Sequence, residues 1–338
     1  MLRALELASL GIRDVNPNPM VGCVIVKDDQ IIGEGWHQRF GGPHAEVNAI
    51  NSVKNLADLE NAEVFVTLEP CAHYGKTPPC AELLIKYPIK KVWICNVDLN
   101  PLVHKKGIEK LTSNGIEVVT SILENEGLEL NKRFFTNIHK KRPYIILKWA
   151  ETTDGFIARK NYDSKWISNT YSRKLVHKWR AEEDAIMVGT NTARYDNPQL
   201  NVRDWTGKNP IRIIIDKNLL LDTKLHLFNG SQSTIVVNSK ITEVRNEVEY
   251  LKIDFGESFL PSLFEILFKK NISSILVEGG GYLLESIIKA GLWDELRVFR
   301  GIVIFESGIS SPKFFGSLFK KENIEDDILS IFKNIDNR

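Results

Sequence analysis

Four cysteines in 338 residues (Cys23, Cys71, Cys80, Cys95) are too few to staple a secreted scaffold. No apolar run approaches the length of a membrane span, and no charged-then-apolar leader precedes a small-residue cleavage site. A reducing cytoplasm is therefore the expected setting, with no membrane partner. Net charge is scarce as well: 44 Lys and Arg against 43 Asp and Glu leave +1. That offers no broad field for a polyanion, so long nucleic acid is not an expected partner. Internal repeats and low-complexity linkers are also missing. What remains is an ordinary globular balance, 43% hydrophobic and 26% charged, at a length that suits two domains better than one.

Apolar runs and turn residues alternate in the α/β manner throughout. The first half reads as a helix over residues 2–10, a hairpin of strands 21–26 and 31–36, and a helix opening at Pro43. A strand over 64–68, a helix opening at Cys80, a strand over 92–97, a helix near 104–111, a strand over 116–120 and one helix over 123–139 follow. The basic turn Lys140-Lys141-Arg142-Pro143 marks the expected boundary, giving domains of residues 1–142 and 143–338. In the second half, strands are expected at 144–149, 185–188, 211–215, 234–237, 274–277 and 295–304. Helices are expected at 171–180, 190–195, 261–269 and 282–290. Residues 305–338 form a divergent tail with no expected role.

Chemistry concentrates first at His44-Ala45-Glu46, answered by Pro70-Cys71 and Cys80. One imidazole and two thiols can hold Zn²⁺ at three corners of a tetrahedron and leave the fourth for water, whose pKa the metal lowers. Glu46, two positions from the ligand, is placed to carry protons without occupying the metal. The order H-x-E, then P-C and a second Cys, is the zinc deaminase arrangement. The thiols here enclose eight residues rather than two, and that loop carries a cation, a hydroxyl and an imidazole able to grip a phosphate. Both His44 and Cys80 fall at expected helix N-termini, where the partial positive charge favours a thiolate.

A second candidate site is Glu278-Gly279-Gly280-Gly281, where an apolar strand turns into a helix and free amides could cradle a phosphate. The turn lacks the G-x-G-x-x-G spacing and the acidic residue some twenty positions on that mark a Rossmann site. Support comes from Asp154-Gly155, residues 164–168, residues 189–192 and residues 194–198, polar clusters at expected strand ends. Lys217, following the strand that ends near Asp216, is the candidate contact for a cofactor 2′-phosphate.

Taken together, these motifs resemble the bifunctional riboflavin-biosynthesis deaminase–reductases, the RibD family. The likeness rests on Asn16-Pro17-Asn18-Pro19-Met20-Val21-Gly22, the H-A-E, the P-C-x8-C with its Gly-Lys-Thr-Pro-Pro loop, and the ordered clusters of the second half. It implies a cytidine-deaminase-like three-layer domain followed by a dihydrofolate-reductase-like α/β domain. It also implies zinc on His44, Cys71 and Cys80, with Glu46 as proton shuttle. Asn18, Lys76 and Thr77 would contact the pyrimidine or its ribose phosphate. NADPH would meet Ala150, Trp166, Thr192, Asp196 and the turn of Gly280, Gly281, Tyr282, Leu283, Leu284, Glu285 and Ser286. The phosphoribosyl pyrimidine would meet Ser164, Arg180, Leu200, Arg203 and Glu278. The expected assembly is a homo-oligomer, dimer or tetramer. Two rival readings are a nucleoside or tRNA deaminase joined to an inactive second half, and a structural zinc module whose fourth ligand is His73 or Cys95.

Overall fold

Alternation decides which face each strand turns to which layer. In the first half, helix α1 (Leu2–Ser9) precedes the hairpin β1 (Gly22–Lys27) and β2 (Gln30–Trp36). Helix α2 (Ala45–Ser52), β3 (Glu63–Leu68), α3 (Cys80–Ile85), β4 (Lys91–Asn96), α4 (Lys106–Ser113) and β5 (Glu117–Val119) follow. Cys23, Ile25, Val64, Val66, Val92 and Ile94 pack with α2, α3 and α4. The intervening Val24, Val26 and Phe65 meet Ala4 and Leu7 of α1 on the other face. The result is three layers around a five-stranded sheet of order β2-β1-β3-β4-β5, antiparallel at its first two pairings and parallel at the last two. Gly35 lets α2 lie directly on β2, since a Cβ there would fall 2.3 Å from the Ala49 nitrogen.

The single helix expected over 123–139 is two, α5 (Glu124–Leu130) and α6 (Lys132–Lys140). The break is Asn131, buried, whose amide accepts from the Met20 N–H at 2.8 Å and donates to the Met20 carbonyl at 2.9 Å. That long-range pair outweighs continuation of the helix, and no local pattern announces it.

The structure, a computed structural model, describes residues 1–74, 78–100 and 104–335. The chain divides into two units, Met1–Lys141 and Arg142–Arg338. The second unit runs β6 (Tyr144–Glu151), β7 (Phe156–Ala158), α7 (Thr170–Glu182), β8 (Ala185–Gly189), α8 (Thr190–Asp196), β9 (Ile211–Ile215), β10 (Thr234–Asn238), β11 (Glu243–Arg245) and β12 (Val248–Lys252). It continues with α9 (Phe259–Lys269), β13 (Ser274–Val277), α10 (Gly281–Lys289), β14 (Glu295–Arg300), β15 (Ile309–Ser310), β16 (Ser317–Ile324) and β17 (Asp327–Lys333). Its ten-stranded sheet has the order β11-β12-β10-β9-β8-β13-β6-β14-β17-β16, and every pairing from β12 to β14 is parallel. Ile145, Leu147, Met187 and Ile213 face α9 and α10, while Tyr144, Ile146, Ile186 and Ile214 face the opposite layer.

The tail corrects the expectation of no role. Strand β17 pairs antiparallel with β14 along the whole of β14, Phe332 joins the main core, and β16 forms the outer edge. Strand β16 is mostly exposed, so its sequence carries little of the apolar alternation that marks a buried strand.

Candidate active sites

Both metal-binding types in the first half are delivered by element ends. His44 is the N-cap of α2, Cys80 opens α3 behind Pro79, and Cys71 follows the end of β3. His44 Nδ1 lies 3.2 Å from Cys80 Sγ and 3.6 Å from Cys71 Sγ, and the three ligand atoms fall within 4.8 Å of one another. Zinc–sulfur and zinc–nitrogen bonds of about 2.3 and 2.0 Å at tetrahedral angles require N···S separations of about 3.6 Å, so the donor set fits this metal. The Cys80 thiol and backbone N–H both hydrogen-bond to Cys71, pushing the Cys71 thiol down to about 4, while Cys80 as donor and by burial is pushed up. Glu46 is buried at 3% exposure; burial, then the charge on Cys71, raises its carboxyl above the usual range.

The thiol loop is anchored one residue upstream of Pro70. Glu69 is buried, and its carboxylate accepts from the backbone N–H groups of Asp98, Lys105, Gly107 and Ile108 at 3.0–3.4 Å. Gly107 makes the approach possible: a Cβ there would lie 2.0 Å from the Pro70 carbonyl oxygen. Asn18 reaches the same neighbourhood through His37, whose ring meets His44 edge-on at 5.5 Å. Lys76 and Thr77 lie outside the described residues. Of the fourth-ligand candidates, Cys95 donates to the Leu123 carbonyl at 3.0 Å and His73 is exposed. Among the described residues only His44, Cys71 and Cys80 converge.

In the second unit the carboxyl ends of β6, β8, β9 and β13 open onto one cavity of about 1510 Å³. That exceeds the roughly 300–1,000 Å³ of a single small-molecule site and leaves room for a dinucleotide beside a second ligand. At the end of β13, Gly279 adopts φ +134°, a conformation only glycine takes readily, and the Gly280 N–H donates to Thr192 Oγ1 at 2.8 Å. Glu278 is gripped bidentately by Arg180, at 2.6 and 2.7 Å. Burial would raise the Glu278 carboxyl, but Arg180 and Lys148 outweigh it, so the group stays below its ordinary range. Lys148 shows the reverse balance: burial lowers its amine despite Glu278.

The cavity brings together Ala150, Ser164, Trp166, Arg180, Thr192, Asp196, Leu200, Arg203, Lys217 and Glu278, and the turn residues Gly280, Gly281, Tyr282, Leu283, Leu284 and Ser286. Glu285 is not among its lining residues. Two donors of Arg180 are taken by Glu278 and a third by the Asn201 carbonyl at 3.1 Å.

Residues 1–96 match the cytidine and deoxycytidylate deaminase zinc-binding region, and residues 143–323 match the RibD C-terminal domain. The riboflavin biosynthesis protein RibD of Aquifex aeolicus is 40% identical, covering 98% of this chain and 97% of its own. The chain belongs to the RibD family. The Escherichia coli RibD is 37% identical over 94% of this chain and 88% of its own. A Thermotoga maritima crystal structure of a diaminohydroxyphosphoribosylaminopyrimidine deaminase/5-amino-6-(5-phosphoribosylamino)uracil reductase superposes with a TM-score of 0.91 at 39% identity, covering 99% of this chain and 97% of that one. An Acinetobacter baumannii RibD structure gives 0.87 at 34%, over 98% and 97%. As a RibD, the chain is a bifunctional enzyme of riboflavin biosynthesis, a zinc-dependent deaminase joined to an NADPH-dependent reductase.

Against this RibD architecture, four site residues escaped the motif reading. His37 meets the His44 ring edge-on, and Glu69 accepts four backbone N–H groups next to Pro70. Lys148 and His177 line the reductase cavity from the interior of β6 and α7. Lys148 had a signal: a lysine between Leu147 and Trp149 in the otherwise apolar run Tyr144–Ala150 of a central parallel strand is costly unless used. His177 had none, because a lone histidine on a helix most often packs.

Proposed function

We propose that residues 1–142 deaminate 2,5-diamino-6-(5-phosphoribosylamino)pyrimidin-4-one and that residues 143–338 reduce the resulting aminouracil. The substrates are those named for the Thermotoga relative. The observation that carries the reading is the convergence of His44, Cys71 and Cys80 next to the buried carboxyl of Glu46. Zinc, when bound by these three side chains, supplies the Lewis acidity that activates water for attack at the amino-bearing C2. Glu46 takes one proton from that water and gives it to the ring nitrogen, then takes the second from the hydroxyl on C2 and gives it to the departing ammonia. Its burial keeps bulk water from competing for the proton, and its raised carboxyl suits a group that must both accept and donate. Asn18, with Lys76 and Thr77 of the thiol loop, holds the pyrimidine and its ribose phosphate in this reading.

In the second site NADPH, when bound, supplies hydride to C1′ of the ribose, giving the ribityl chain. The Gly279-Gly280-Gly281 turn and Thr192 hold the phosphate end, with Lys217 at the 2′-phosphate. Ala150, Trp166 and Asp196 line the cofactor's path, and Ser164, Leu200 and Arg203 that of the substrate. Glu278, kept ionised by Arg180, and the buried amine of Lys148 form the polar floor where a proton can be held. Arg203 is the freer of the two guanidiniums, half-exposed and able to bind a phosphate bidentately.

The reading includes a cytoplasmic location and self-association as a dimer or tetramer. Support for the second is the edge strand β16, which exposes Leu318 and Phe319 at 56% and 55%, beside Phe315 at 91%. Incubating the enzyme with the diaminopyrimidine, with and without NADPH, tests the whole. The expected products by mass are the ribosyl aminouracil alone without cofactor and the ribityl product with it. Unchanged substrate in both would overturn the proposal.

A further inference from the structure

His37 occupies a position that the deamination chemistry does not use. It is 3% exposed, follows the end of β2, and both ring nitrogens are engaged. Nδ1 lies 2.9 Å from the Pro43 carbonyl oxygen, and Nε2 lies 3.1 Å from Asn18 Nδ2. A proline carbonyl can only accept, so Nδ1 carries the hydrogen and donates it. In the neutral ring Nε2 then holds a lone pair, and its partner must be a donor. The Asn18 amide is thereby turned with its NH₂ toward His37.

The other end of that amide matters more. Asn18 is half-buried, and its Oδ1 takes no partner among the described residues. His37 also meets the His44 ring edge-on at 5.5 Å, so Asn18 stands one side chain away from a metal ligand. A carboxamide left to itself can turn either face to a ligand. Here the chain from the Pro43 carbonyl through His37 to Asn18 removes that choice.

We infer that His37 is a positioning residue which fixes Asn18 as a hydrogen-bond acceptor toward an N–H of the pyrimidine in the deaminase site. The inference rests on the substrate class proposed above. The aminopyrimidinone carries a ring N–H and an exocyclic amine next to the carbon that reacts, and both are donors. An Asn18 turned the other way would set NH₂ against N–H and leave both without a partner, which favours leaving the substrate unbound. The effect belongs to binding and orientation of the substrate rather than to proton transfer, which is Glu46's task.

Two measurements test it. In the zinc-loaded enzyme with ¹⁵N-labelled histidine, long-range ¹H–¹⁵N correlation reads the tautomer of His37 directly. Hydrogen on Nδ1 is expected; hydrogen on Nε2 would overturn the inference without reference to activity. The second is steady-state ammonia release for His37→Phe and His37→Gln, with zinc content measured on each protein. Phenylalanine removes the acceptor that holds Asn18 and should raise KM about tenfold, the loss of one neutral hydrogen bond, with kcat within about threefold. Glutamine can place its oxygen where Nε2 stood and should keep KM within about threefold of the parent. A KM for His37→Phe equal to the parent's would overturn the assignment. So would loss of zinc from both variants, which would make His37 a support for His44 instead. Failure of the parent enzyme to release ammonia from the diaminopyrimidine, with the Nδ1–H tautomer observed, would count against the proposed substrate and leave the Asn18 orientation standing.

Discussion

The two catalytic halves of this RibD are assembled in opposite ways. In the first, the three candidate zinc ligands and the carboxyl proposed for acid–base work come from 37 consecutive positions, His44 to Cys80, and sit at the ends of three neighbouring elements. In the second, the cavity draws on many separate segments between Lys148 and Ile309, from strand ends, loops and helices. A metal site needs few donors with strict chemistry, so its residue types and spacing are distinctive. A dinucleotide site needs a long surface of weak contacts, and most are turns and backbone that many folds share.

Independence of the halves gives the largest expected effect. Glu46→Gln keeps the size of the side chain but cannot carry the proton, so ammonia release should fall by about 10²–10⁴. Zinc should stay bound, and reduction of directly supplied aminouracil should remain near the parent rate. Loss of both activities in a folded, zinc-loaded protein would break the comparison and require a coupled site. Next comes the metal itself. Cys71→Ser or Cys80→Ser should remove most zinc, measured by elemental analysis, because a hydroxyl is a poor ligand for it at neutral pH. Full occupancy in both would sink the ligand set.

The mirror substitution in the second half should be milder in kind. Glu278→Gln frees one face of the Arg180 guanidinium, and NADPH oxidation should fall at least about tenfold while ammonia release is unchanged. Equal rates of NADPH oxidation in variant and parent would remove Glu278 from the site. The difference from Glu46 is that here an ion pair with Arg180 is disturbed rather than the carboxyl proposed to carry the proton.

How much of each half was legible follows from the same contrast. In the first, the helix starts bearing His44 and Cys80 stood in the sequence, because a helix N-terminus behind a proline leaves a local trace. The Met20–Asn131 pair, which splits one helix into two, and the four amides on Glu69 left none, since both join residues more than 25 positions apart. In the second, apolar runs located the parallel strands. The edge strands β11 and β16 and their inner neighbours β12 and β17 were missed, because their faces are exposed or only half-buried over much of their length.

Two stability measurements sharpen the comparison further. His177, buried at 3% exposure, accepts from the Arg203 N–H through Nδ1 at 3.4 Å, and its Nε2 lies 3.2 Å from Asp204. Burial, helped by Arg180 and Arg203, pushes it down to about 4. Between that value and its ordinary value of about 6.5 the unfolded chain binds the proton and the folded one does not. Stability of the second half should therefore rise with pH across this window, by on the order of 2–3 kcal/mol from this group. His177→Gln should flatten that slope in denaturant titrations at pH 4.5 and 7; an unchanged slope would refute the assignment. The smallest effect belongs to Lys105, which holds φ +59° as the N-cap of α4, where a side chain is strained. Lys105→Gly should stabilise the first half by about 0.5 kcal/mol, the relief of a left-handed residue less the added chain entropy. A loss of stability in thermal melts would show that the lysine side chain contributes more than the strain costs.

The joint between the halves sets where they can be separated. Arg142 looks in sequence like the last residue of a basic turn belonging to the first half. Its guanidinium instead grips Asp294 at 2.6 and 2.9 Å, inside the second unit, and the same carboxylate caps the Ile145 N–H at the start of β6. A free-standing reductase cut to begin at Pro143 would keep every strand and every cavity residue. It would nonetheless lose the bidentate Arg142 contact to the buried Asp294 carboxylate, so a working split of the two enzymes should fall before Arg142.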